Sequence, residues 1–568
     1  MTEGIETCPN KGQENSAPTE IRPRSGGRIL ADALRVHGVD RVFCVPGESY
    51  LDILDALYDM PDIQIVVAKH EGAAANMAVA DGKLTGRPGV CLVTRGPGAT
   101  HASVGVHTAF QDSAPMILFI GQVERGVRGR EAFQEVDFRQ MFAPLAKWVA
   151  EIEDPARIPE YLLRAFQCAT SGRPGPIVLS LPEDVMKETC LVSNTARYCS
   201  VQASPAAGDI DSLRTELAHA QRPLVILGGS GWSADACAAV EKVVSVNELP
   251  VITSFRRQDL LDNRHRCYAG HLGLGLPPYL SSRVRSADLL IVIGARLGDI
   301  STAGYSVLVP PRLPQRLVHV HADPNEISRV YEADLPINAG PSHFAKALGA
   351  LPPINDPPWR AWTEEARREF NRFAAAPSVL PEGGVNLAMV VAYLAERLPP
   401  DAVISNGAGN YTIWVHRFFR YKQFHTQLAP TSGAMGFGLP AAIAAKLRYP
   451  ERLSVCFAGD GCFLMYPQEL ATALQYDAAI IVLVVNNGMY GTIRMHQERR
   501  FPGRVSATDL RTPDFVALAK SFGAYAERIE WTDEFAAAFE RAVESRRPAL
   551  LELCVDRNQI TPDRRLAR

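Results

Sequence analysis

The chain has 568 residues, which is too many for one hydrophobic core, so we expect three domains of about 150 to 200 residues. Its hydrophobic content of 47%, charged content of 21% and net charge of −3 are typical of a globular protein and lack the basic surface that binds nucleic acid. The 11 cysteines are scattered without CxxC pairs, which argues against a zinc site and fits a cytoplasmic location.

Residues 1–24 are polar and lack the apolar stretch of a signal peptide, so we expect a disordered tail there. No apolar run elsewhere approaches the roughly 20 residues that span a membrane, and we expect no membrane partner. From residue 25 to 190 the chain alternates helix and strand patterns, which is typical of a doubly wound α/β domain. Strands are predicted at 41–45, 63–68, 90–94, 116–121 and 176–181.

Polar or glycine-rich turns follow the first three of these strands. The first turn contains Gly47 and Glu48, and the second strand delivers Glu71 to the start of a helix. The third strand leads into RGPGATH at 95–101 and a following helix. A carboxylate at a helix N-terminus is explained by the macrodipole alone, which is worth about 0.3–1 kcal/mol, so the position of Glu71 is not by itself a sign of function.

Residues 191–208 are rich in Ser, Ala, Thr and Pro and predict a linker. A central domain, residues 209–350, repeats the strand–helix alternation, with glycine-rich turns in PLVILGGSGW at 223–232 and LLIVIGARLGD at 289–299. Such turns are a weak dinucleotide-binding signal, because tight helix–strand packing requires glycine as well.

A proline-rich link and a charged helix, residues 351–379, lead to a third domain at 380–556, followed by a C-terminal tail at 557–568. Within this domain a strand at 454–458, a helix at 467–476 and a strand at 480–485 form a βαβ unit. Asp460 follows the first strand and Asn487 the second. Because ligands bind at the carboxyl ends of parallel strands, these two oxygen donors predict a Mg²⁺ site that also holds a phosphate.

The pairing of Gly459-Asp460-Gly461 with Asn486-Asn487 resembles the diphosphate-binding motif of the thiamine diphosphate enzymes. VPG at 45–47, KHEGAA at 69–74, RGPGAT at 95–100 and FQDSAP at 110–115 resemble the pyrimidine-binding domain of the same family. The similarity extends over residues 25–556 and is to the acetolactate synthase group. It implies three doubly wound parallel-sheet domains: pyrimidine-binding, central Rossmann-like and diphosphate-binding.

The resemblance assigns roles to individual residues. Asp460, Asn487 and the Met489 carbonyl would hold Mg²⁺ on the cofactor's diphosphate, and Glu71 would hydrogen-bond the aminopyrimidine ring. The Gly433 carbonyl would accept from the cofactor's amino group, and Met435 would support the bend between its two rings. The full set of implied cofactor contacts in the third domain is Gly409, Asn410, Tyr411, Gly433, Met435, Gly459, Asp460, Gly461, Cys462, Asn487, Met489 and Tyr490.

In the acetolactate synthases the central domain holds FAD that takes no part in the net reaction. The residues that match this pattern here are Gly228, Gly229, Gly294, Ala295, Arg296 and Asp323. Ile300 stands where the flavin enzymes commonly have Arg, and His321 stands where they have an acidic residue. These two departures leave FAD binding open.

The loop EAFQE at 131–135 resembles the acetolactate synthase loop in which Phe133 and Gln134 face the substrate. Further catalytic candidates on the matched motifs are Glu71, Gly47, Glu48, His101, Gln111 and His496. Three of these positions depart from the family: Glu48 replaces a small residue, His101 replaces Asn, and His496 replaces the Trp that selects the second 2-keto acid.

We therefore expect a decarboxylating carboligase that acts on 2-keto acids. A 2-keto acid decarboxylase and a 2-hydroxy ketone or 2-hydroxyacyl lyase of the same family remain alternatives. A catalytically silent binding subunit is disfavoured by the intact Glu71, Asp460 and Asn487. The family joins Glu71 of one subunit to Asp460 of another, so a homodimer or homotetramer is implied.

Overall fold

A computed structural model describes residues 22–377 and 383–566 of the chain, which divides into two compact units, one ending at Val201 and the other beginning at Gln202. Most of the tail expected at 1–24, the expected boundary at 379/380 and the last two residues lie outside the described residues. Arg24 belongs to a short strand that pairs antiparallel with Thr189–Cys190. The exact domain limits stay predictions.

The first unit is an α/β fold. Its helices are α1 (Gly26–Val36), α2 (Leu51–Tyr58), α3 (Glu71–Thr85), α4 (Gly96–Asp112), α5 (Phe138–Phe142), α6 (Ile158–Thr170) and α7 (Glu183–Lys187). Its strands are β1 (Arg24–Ser25), β2 (Arg41–Cys44), β3 (Gln64–Val67), β4 (Gly89–Val93), β5 (Met116–Gln122), β6 (Trp148–Glu151), β7 (Pro176–Pro182) and β8 (Thr189–Cys190). Strands β2 to β7 form a parallel sheet in the order β3-β2-β4-β5-β7-β6.

Burial explains why the central strands read as continuous apolar runs. Every residue of β4, β5 and β7 is buried, as expected for parallel strands with helices on both faces. Helices α3 and α4 pack closely because small residues meet between them. A Cβ on Gly105 would lie 2.4 Å from the Ala75 Cβ, so only glycine allows this approach.

The second unit contains two further parallel sheets. The elements around the first are β9 (Pro223–Leu227), β10 (Val251–Thr253), β11 (Tyr268–His271), β12 (Leu289–Ile293), β13 (Arg316–His321), β14 (Leu335–Asn338), α8 (Asp209–His219), α9 (Ala234–Val246), α10 (Pro278–Ser286), α11 (Pro341–Leu348) and α12 (Arg360–Phe373). The strand order is β11-β10-β9-β12-β13-β14, which is the order of a Rossmann dinucleotide-binding sheet.

The remaining sheet has the order β16-β15-β17-β18-β20-β19. Its helices are α13 (Leu387–Arg397), α14 (Tyr411–Phe418), α15 (Gly438–Arg448), α16 (Asp460–Phe463), α17 (Glu469–Gln475), α18 (Gly491–Arg500), α19 (Phe515–Phe522) and α20 (Glu534–Glu544). Its strands are β15 (Val403–Asn406), β16 (Gln427–Leu428), β17 (Ser454–Gly459), β18 (Ile481–Asn486), β19 (Tyr525–Ile529) and β20 (Ala549–Cys554). An antiparallel pair, β21 (Gln559–Thr561) and β22 (Arg564–Arg565), occupies most of the expected C-terminal tail.

The predicted fold class of three doubly wound parallel sheets is confirmed. The first and third sheets have the same strand order. In each, the second strand along the chain pairs on one side of the first strand, and the third strand pairs on its other side. Such a reversal of strand order opens a crevice at the carboxyl ends of the strands. In the described parts of the chain, no helix combines the length and the apolar character needed to cross a membrane.

Candidate active site

Asp460 lies at the crevice of the third sheet, where β17 ends and α16 begins. Its carboxylate is buried and accepts hydrogen bonds from the backbone N–H of Gly461 at 2.7 Å and of Gly488 at 2.8 Å. Burial raises the pKa of Asp460, and these backbone donors only partly oppose that effect. Because burial disfavours the charged form of this carboxyl group, a bound cation would stabilise it.

Asn487 follows β18, the strand beside β17 in the sheet. Its amide oxygen accepts from the Met489 N–H at 3.1 Å, which holds residues 487–489 in a tight turn. The turn is fixed from outside by Tyr490, whose N–H donates to the Thr508 carbonyl at 2.8 Å. Because Gly488 donates to Asp460, the turns after β17 and β18 meet at one edge of the sheet.

Tyr411 and Cys462 join the turn after β15 to the start of α16. The Tyr411 hydroxyl accepts from the Gly407 N–H at 3.0 Å and lies 3.4 Å from the Cys462 sulfur. The Cys462 sulfur also accepts from the Gly436 N–H at 3.2 Å. Burial, followed by the neighbouring Cys462, raises the pKa of Tyr411 well above its usual range. The hydroxyl therefore stays neutral and acts as a structural link between three loops.

Glycines shape the space around this edge. Gly409 has φ +149° and Gly433 φ +71°, and no atom lies within 4 Å of where a Cβ on Gly433 would be. A Cβ on Gly459 would lie 3.2 Å from the Tyr411 ring, and one on Gly461 2.7 Å from the Tyr490 ring. Open space beside Gly433 leaves its backbone accessible to a ligand.

Met435 is partly buried and packs against the core of the third domain. It lies in the segment between Gly433 and Gly436, both of which have positive φ values. The backbone therefore turns sharply on each side of Met435, and α15 begins only at Gly438.

The donor set at Asp460 fits Mg²⁺ and a diphosphate. One carboxylate, one amide oxygen and one backbone carbonyl are hard oxygen ligands, and Mg²⁺ usually combines one or two protein ligands with phosphate oxygens and water. The buried carboxylate and the open space at Gly433 are the observations that support this fit.

In the first unit, Glu71 is the first residue of α3, as predicted, and His70 caps the helix by accepting from the Gly72 N–H through Nδ1 at 3.0 Å. The Glu71 Oε2 atom lies 2.8 Å from Nδ1 of His101. The RGPGAT segment is the first turn of α4 and not a turn that precedes it, since the helix begins at Gly96. This places His101 on α4 opposite the start of α3.

Arg95, to which the sequence assigned no role, forms ion pairs with two carboxylates in the first unit. It is buried and donates to Glu48 at 2.8 Å and to Glu183 at 2.7 Å. Burial lowers the pKa of Arg95, but the bonds to the two carboxylates outweigh this effect and raise it. Glu48, whose side chain is 64% exposed, is thus held at the end of β2. Gly47 beside it leaves no room for a side chain, because a Cβ would lie 2.5 Å from that of Thr94.

The loop that carries Phe133 and Gln134 is ordered by backbone contacts. The Gln134 carbonyl accepts from the Gly96 N–H at 3.0 Å, and the Glu135 carboxylate accepts from the N–H groups of Gly129 and Ala132. Gln134 has φ +66°, and the Phe133 side chain is 75% exposed. The loop is therefore anchored to the N-terminus of α4 with Phe133 directed to solvent.

Gln111 lies away from the Glu71–His101 pair within the first unit, and His496 belongs to the second unit. Gln111 is exposed near the end of α4, about 15 Å along the helix from His101. His496 is exposed on α18, a helix that the sequence did not predict, and accepts from Arg499 at 3.0 Å. Both stay predictions. The signal for α18 was weak, because none of its residues is fully buried.

Asn410, which lies in the turn after β15, is in contact with α18. Its amide oxygen accepts from the Thr492 hydroxyl at 2.8 Å, and its amide nitrogen lies 3.8 Å from the Met495 sulfur. Sequence reasoning did not identify Thr492. Its position two residues after Tyr490 was the available signal.

In the central sheet, the turns after β9 and β12 pack on each other. A Cβ on Gly229 would lie 1.9 Å from the Gly294 carbonyl oxygen, and one on Gly294 2.5 Å from that of Gly228. Backbone approach between two protein loops therefore accounts for these glycines. The Trp232 indole N–H also donates to the Gly228 carbonyl at 2.8 Å.

The polar groups expected to hold FAD are engaged with protein partners. Arg296 lies 3.3 Å from the buried Glu326, and the Asp323 carboxylate accepts from the Asn325 N–H at 2.9 Å. His321 is buried, which lowers its pKa to about 4, and its Nδ1 accepts from the Asp323 N–H at 3.0 Å. The residues present therefore fit FAD only in part.

Three family models match the chain in order. The N-terminal thiamine pyrophosphate (TPP) binding domain of thiamine pyrophosphate enzymes matches residues 24–141, the central domain matches 210–348, and the C-terminal TPP binding domain matches 407–553. The chain therefore belongs to the thiamine pyrophosphate enzymes, which use the cofactor also called thiamine diphosphate.

Within this family the chain is similar to acetolactate synthase large subunits. It is 32% identical to that of Parasynechococcus marenigrum, over 96% of this chain and 90% of the relative. It is 29% identical to the isozyme 2 large subunit of Escherichia coli, over 94% and 96% of the two chains. It is 31% identical to a probable large subunit of Methanocaldococcus jannaschii, over 94% and 93%. The predicted family and its thiamine diphosphate dependence are confirmed.

Proposed function

We propose that the protein is a carboligase of the acetolactate synthase type, which decarboxylates one 2-keto acid and joins the remaining fragment to a second carbonyl compound. The observation that carries the proposal is the meeting of Asp460, Asn487 and the 487–489 turn at the carboxyl ends of adjacent strands. The names of the similar proteins support the substrate class.

Mg²⁺ would be held by the carboxylate of Asp460, the amide oxygen of Asn487 and the carbonyl of Met489. Backbone at Gly409 and Gly433 would lie against the cofactor, with Met435 between the two sharp turns. When bound, thiamine diphosphate supplies a thiazolium carbon that serves as a nucleophile after losing its proton.

Glu71 would act on the aminopyrimidine ring of the cofactor. It stands at the N-terminus of α3 and is mostly shielded from solvent, with 15% of its side chain exposed. A carboxyl group in such a place can pass a proton to a ring nitrogen and take it back, which is general acid–base catalysis. In the family that this chain resembles, the residue that matches Glu71 and the residue that matches Asp460 come from different subunits. We therefore propose at least a homodimer.

The substrate pocket would contain Glu48, Phe133 and Gln134 from the first unit. The ion pair with Arg95 keeps a carboxylate at position 48, where the family has a small neutral residue. A carboxylate paired with Arg95, in place of a small neutral residue, changes the size and polarity of the pocket and supports altered selectivity for the acceptor or the donor. The family resemblance supports FAD binding in the central domain. The contacts of Arg296 with Glu326 and of Asp323 with Asn325 argue against it, because these side chains already have protein partners.

One assay separates the candidate activities. Purified protein is incubated with thiamine diphosphate, Mg²⁺ and pyruvate, and both CO₂ and, after acidification, acetoin are measured. Acetoin with CO₂ supports the carboligase, whereas CO₂ with free aldehyde indicates a decarboxylase. Neither product from pyruvate, together with cleavage of a 2-hydroxy ketone, indicates a lyase, and no turnover of any of these substrates contradicts an enzymatic role.

Glu71→Gln tests the first chemical step. The variant keeps the shape and one hydrogen bond but cannot exchange a proton with the aminopyrimidine, so we expect turnover to fall by about 10²- to 10⁴-fold. Exchange of the thiazolium hydrogen for deuterium, followed by quenching and NMR of the cofactor, isolates this step from substrate chemistry. Glu160→Gln is the matched control, because Glu160 is also a first-turn carboxylate, on α6. Exchange at the wild-type rate in Glu71→Gln would mean that Glu71 is only a helix-terminal charge.

A further inference from the structure

His101 and Glu71 form a direct pair at the start of α3 and α4. The Nδ1 atom of His101 lies 2.8 Å from Oε2 of Glu71. The Glu71 side chain is 15% exposed and that of His101 is 53% exposed. A mostly shielded carboxyl group is thus in hydrogen-bond contact with an imidazole that reaches solvent.

The two oxygens of Glu71 have different surroundings. Oε2 is in contact with Nδ1 of His101, whereas Oε1 lies 3.6 Å from the place that a Cβ on Gly98 of α4 would occupy. The absence of a side chain at Gly98 leaves the approach to Oε1 unobstructed from that position. Oε1 is therefore the oxygen that the contact with His101 leaves to accept a further hydrogen bond.

The neighbouring His70 restricts what else these groups can do. The rings of His70 and His101 are 4.6 Å apart, and ligand atoms of His70, Glu71 and His101 lie within 4.8 Å of one another, a spacing that a metal ion would require. However, Nδ1 of His70 accepts from the Gly72 N–H, so the ring proton is on Nε2, the nitrogen that would bind a metal. Burial, and then the adjacent His101, lower the pKa of His70, while Glu71 has the opposite effect. His70 is therefore a neutral N-cap of α3 whose ring packs against the ring of His101.

We propose that His101 is a positioning residue for Glu71: its Nδ1–H holds Oε2 so that Oε1 is directed to the aminopyrimidine. This inference rests on the proposed function, because it requires Glu71 to act on the cofactor. An ionised carboxylate can only accept hydrogen bonds, so Nδ1 is the donor. A hydrogen bond to the ionised form stabilises it, and that form is the one left when Glu71 has given its proton to the ring.

The charged and titratable groups around the pair are consistent with this role. Tyr50 and Cys91 are influenced by the charge of Glu71, but burial is the main reason that their pKa values are raised, so both stay neutral near pH 7. Arg95, at the N-terminus of α4, is already bound to Glu48 and Glu183. Among the described residues, His101 thus provides a direct side-chain contact to the Glu71 carboxylate, and Tyr50, Cys91 and Arg95 do not compete for that role.

The test is a double-mutant cycle on thiazolium hydrogen–deuterium exchange in the full-length enzyme loaded with thiamine diphosphate and Mg²⁺. The variants are His101→Ala, His101→Asn, Glu71→Gln and the Glu71→Gln/His101→Ala double variant. His107→Asn is the matched control, because His107 is also an exposed histidine on α4. Calorimetric titration of the apo variants with thiamine diphosphate and Mg²⁺, and their melting temperatures, give readouts that do not depend on activity.

We expect His101→Ala to slow exchange by about 10-fold, the loss of one hydrogen bond to a charged group. His101→Asn should keep the rate within about 3-fold of wild type, since its amide N–H can donate from a similar place, and His107→Asn should not change it. In the Glu71→Gln background, His101→Ala should have no further effect, because it acts through Glu71. Cofactor affinity and melting temperature should stay close to wild type in His101→Ala.

Two results would overturn the inference. One is wild-type exchange in His101→Ala, and the other is an equal slowing by His101→Ala with and without Glu71→Gln. If His101→Ala lowers the melting temperature strongly, the rate in His101→Asn decides, since a slow but stable Asn variant would also contradict positioning by a simple donor. Failure of the proposed function is recognised separately, because Glu71→Gln alone would then exchange at the wild-type rate.

Discussion

Gly229→Ala is a stringent test of how the two loops of the central sheet meet. Gly229 has φ +69°, and an added Cβ would lie 1.9 Å from the carbonyl oxygen of Gly294. The left-handed conformation alone costs about 1–2 kcal/mol for a residue with a Cβ. Displacing a backbone loop adds about 1–3 kcal/mol, as overpacking does in cores. We therefore expect about 2–5 kcal/mol of destabilisation.

Gly503→Ala separates the two contributions. Gly503 has φ +72° in the same unit, but no atom lies within 4 Å of its Cβ position, so only the conformational cost of about 1–2 kcal/mol applies. Because a chain with several domains does not unfold in two states, midpoints of thermal and urea unfolding of the apo protein are compared. At about 2–4 °C per kcal/mol, Gly229→Ala should lower the midpoint of its transition by about 4–20 °C.

A Gly229→Ala midpoint equal to that of Gly503→Ala would refute the argument that backbone approach requires this glycine. The comparison also concerns function, since the family resemblance assigns Gly229 to FAD. A variant that folds normally but loses uptake of added flavin would favour the ligand role over loop packing.

Three further predictions concern ligands and pH. Asp460→Ala should abolish thiamine diphosphate binding in a calorimetric titration with Mg²⁺, because the diphosphate loses its metal bridge; the exposed Asp563→Ala should not, and tight binding by Asp460→Ala would contradict the site. If FAD is bound, the purified protein should show flavin absorbance, and a colourless preparation that takes up no added FAD would remove the flavin role of the central domain. Burial lowers the pKa of His321 to about 4 from 6.5, so this neutral ring contributes stability that is present above pH 6.5 and is lost as pH falls towards 4. His321→Asn should reduce that loss by up to ~3 kcal/mol, measured as urea midpoints at pH 7 and pH 4.5, and an unchanged difference between the two would contradict it.

The strands of the three sheets could be predicted from the sequence because they are apolar runs followed by glycine-containing turns. The runs at 116–121 and 176–181 predicted β5 and β7 within one residue, since strands buried on both faces leave no polar position to confuse the pattern. Helix α18 was missed for the opposite reason: with no fully buried residue, it lacks the apolar stripe that marks a helix in sequence.

At the candidate site, residue types were predictable and partners were not. Spacing indicated that Asp460 and Asn487 end adjacent strands, because parallel strands place their carboxyl ends together. The contacts of Arg95 with Glu48 and Glu183 join positions far apart in the chain, and nothing in local sequence links them. For Gly229 the sequence could not distinguish approach to a ligand from approach to Gly294, because both need the same missing side chain.

Gly105 of α4, which packs against Ala75 of α3, relates helix packing to the contact between Glu71 and His101. Ala75 lies one helical turn after Glu71, and Gly105 one turn after His101, so the close approach of the two helices at Gly105 influences the distance between the Glu71 and His101 side chains. Hydrogen bonds tolerate only a few tenths of an ångström, and a shift of about 1 Å can cost on the order of 10²-fold in rate. We therefore expect a side chain at position 105 to change the contact between Glu71 and His101 as well as the packing of the two helices. If Glu71 has the proposed role, a methyl group at position 105 would change the rate of proton transfer through the spacing of the two helices.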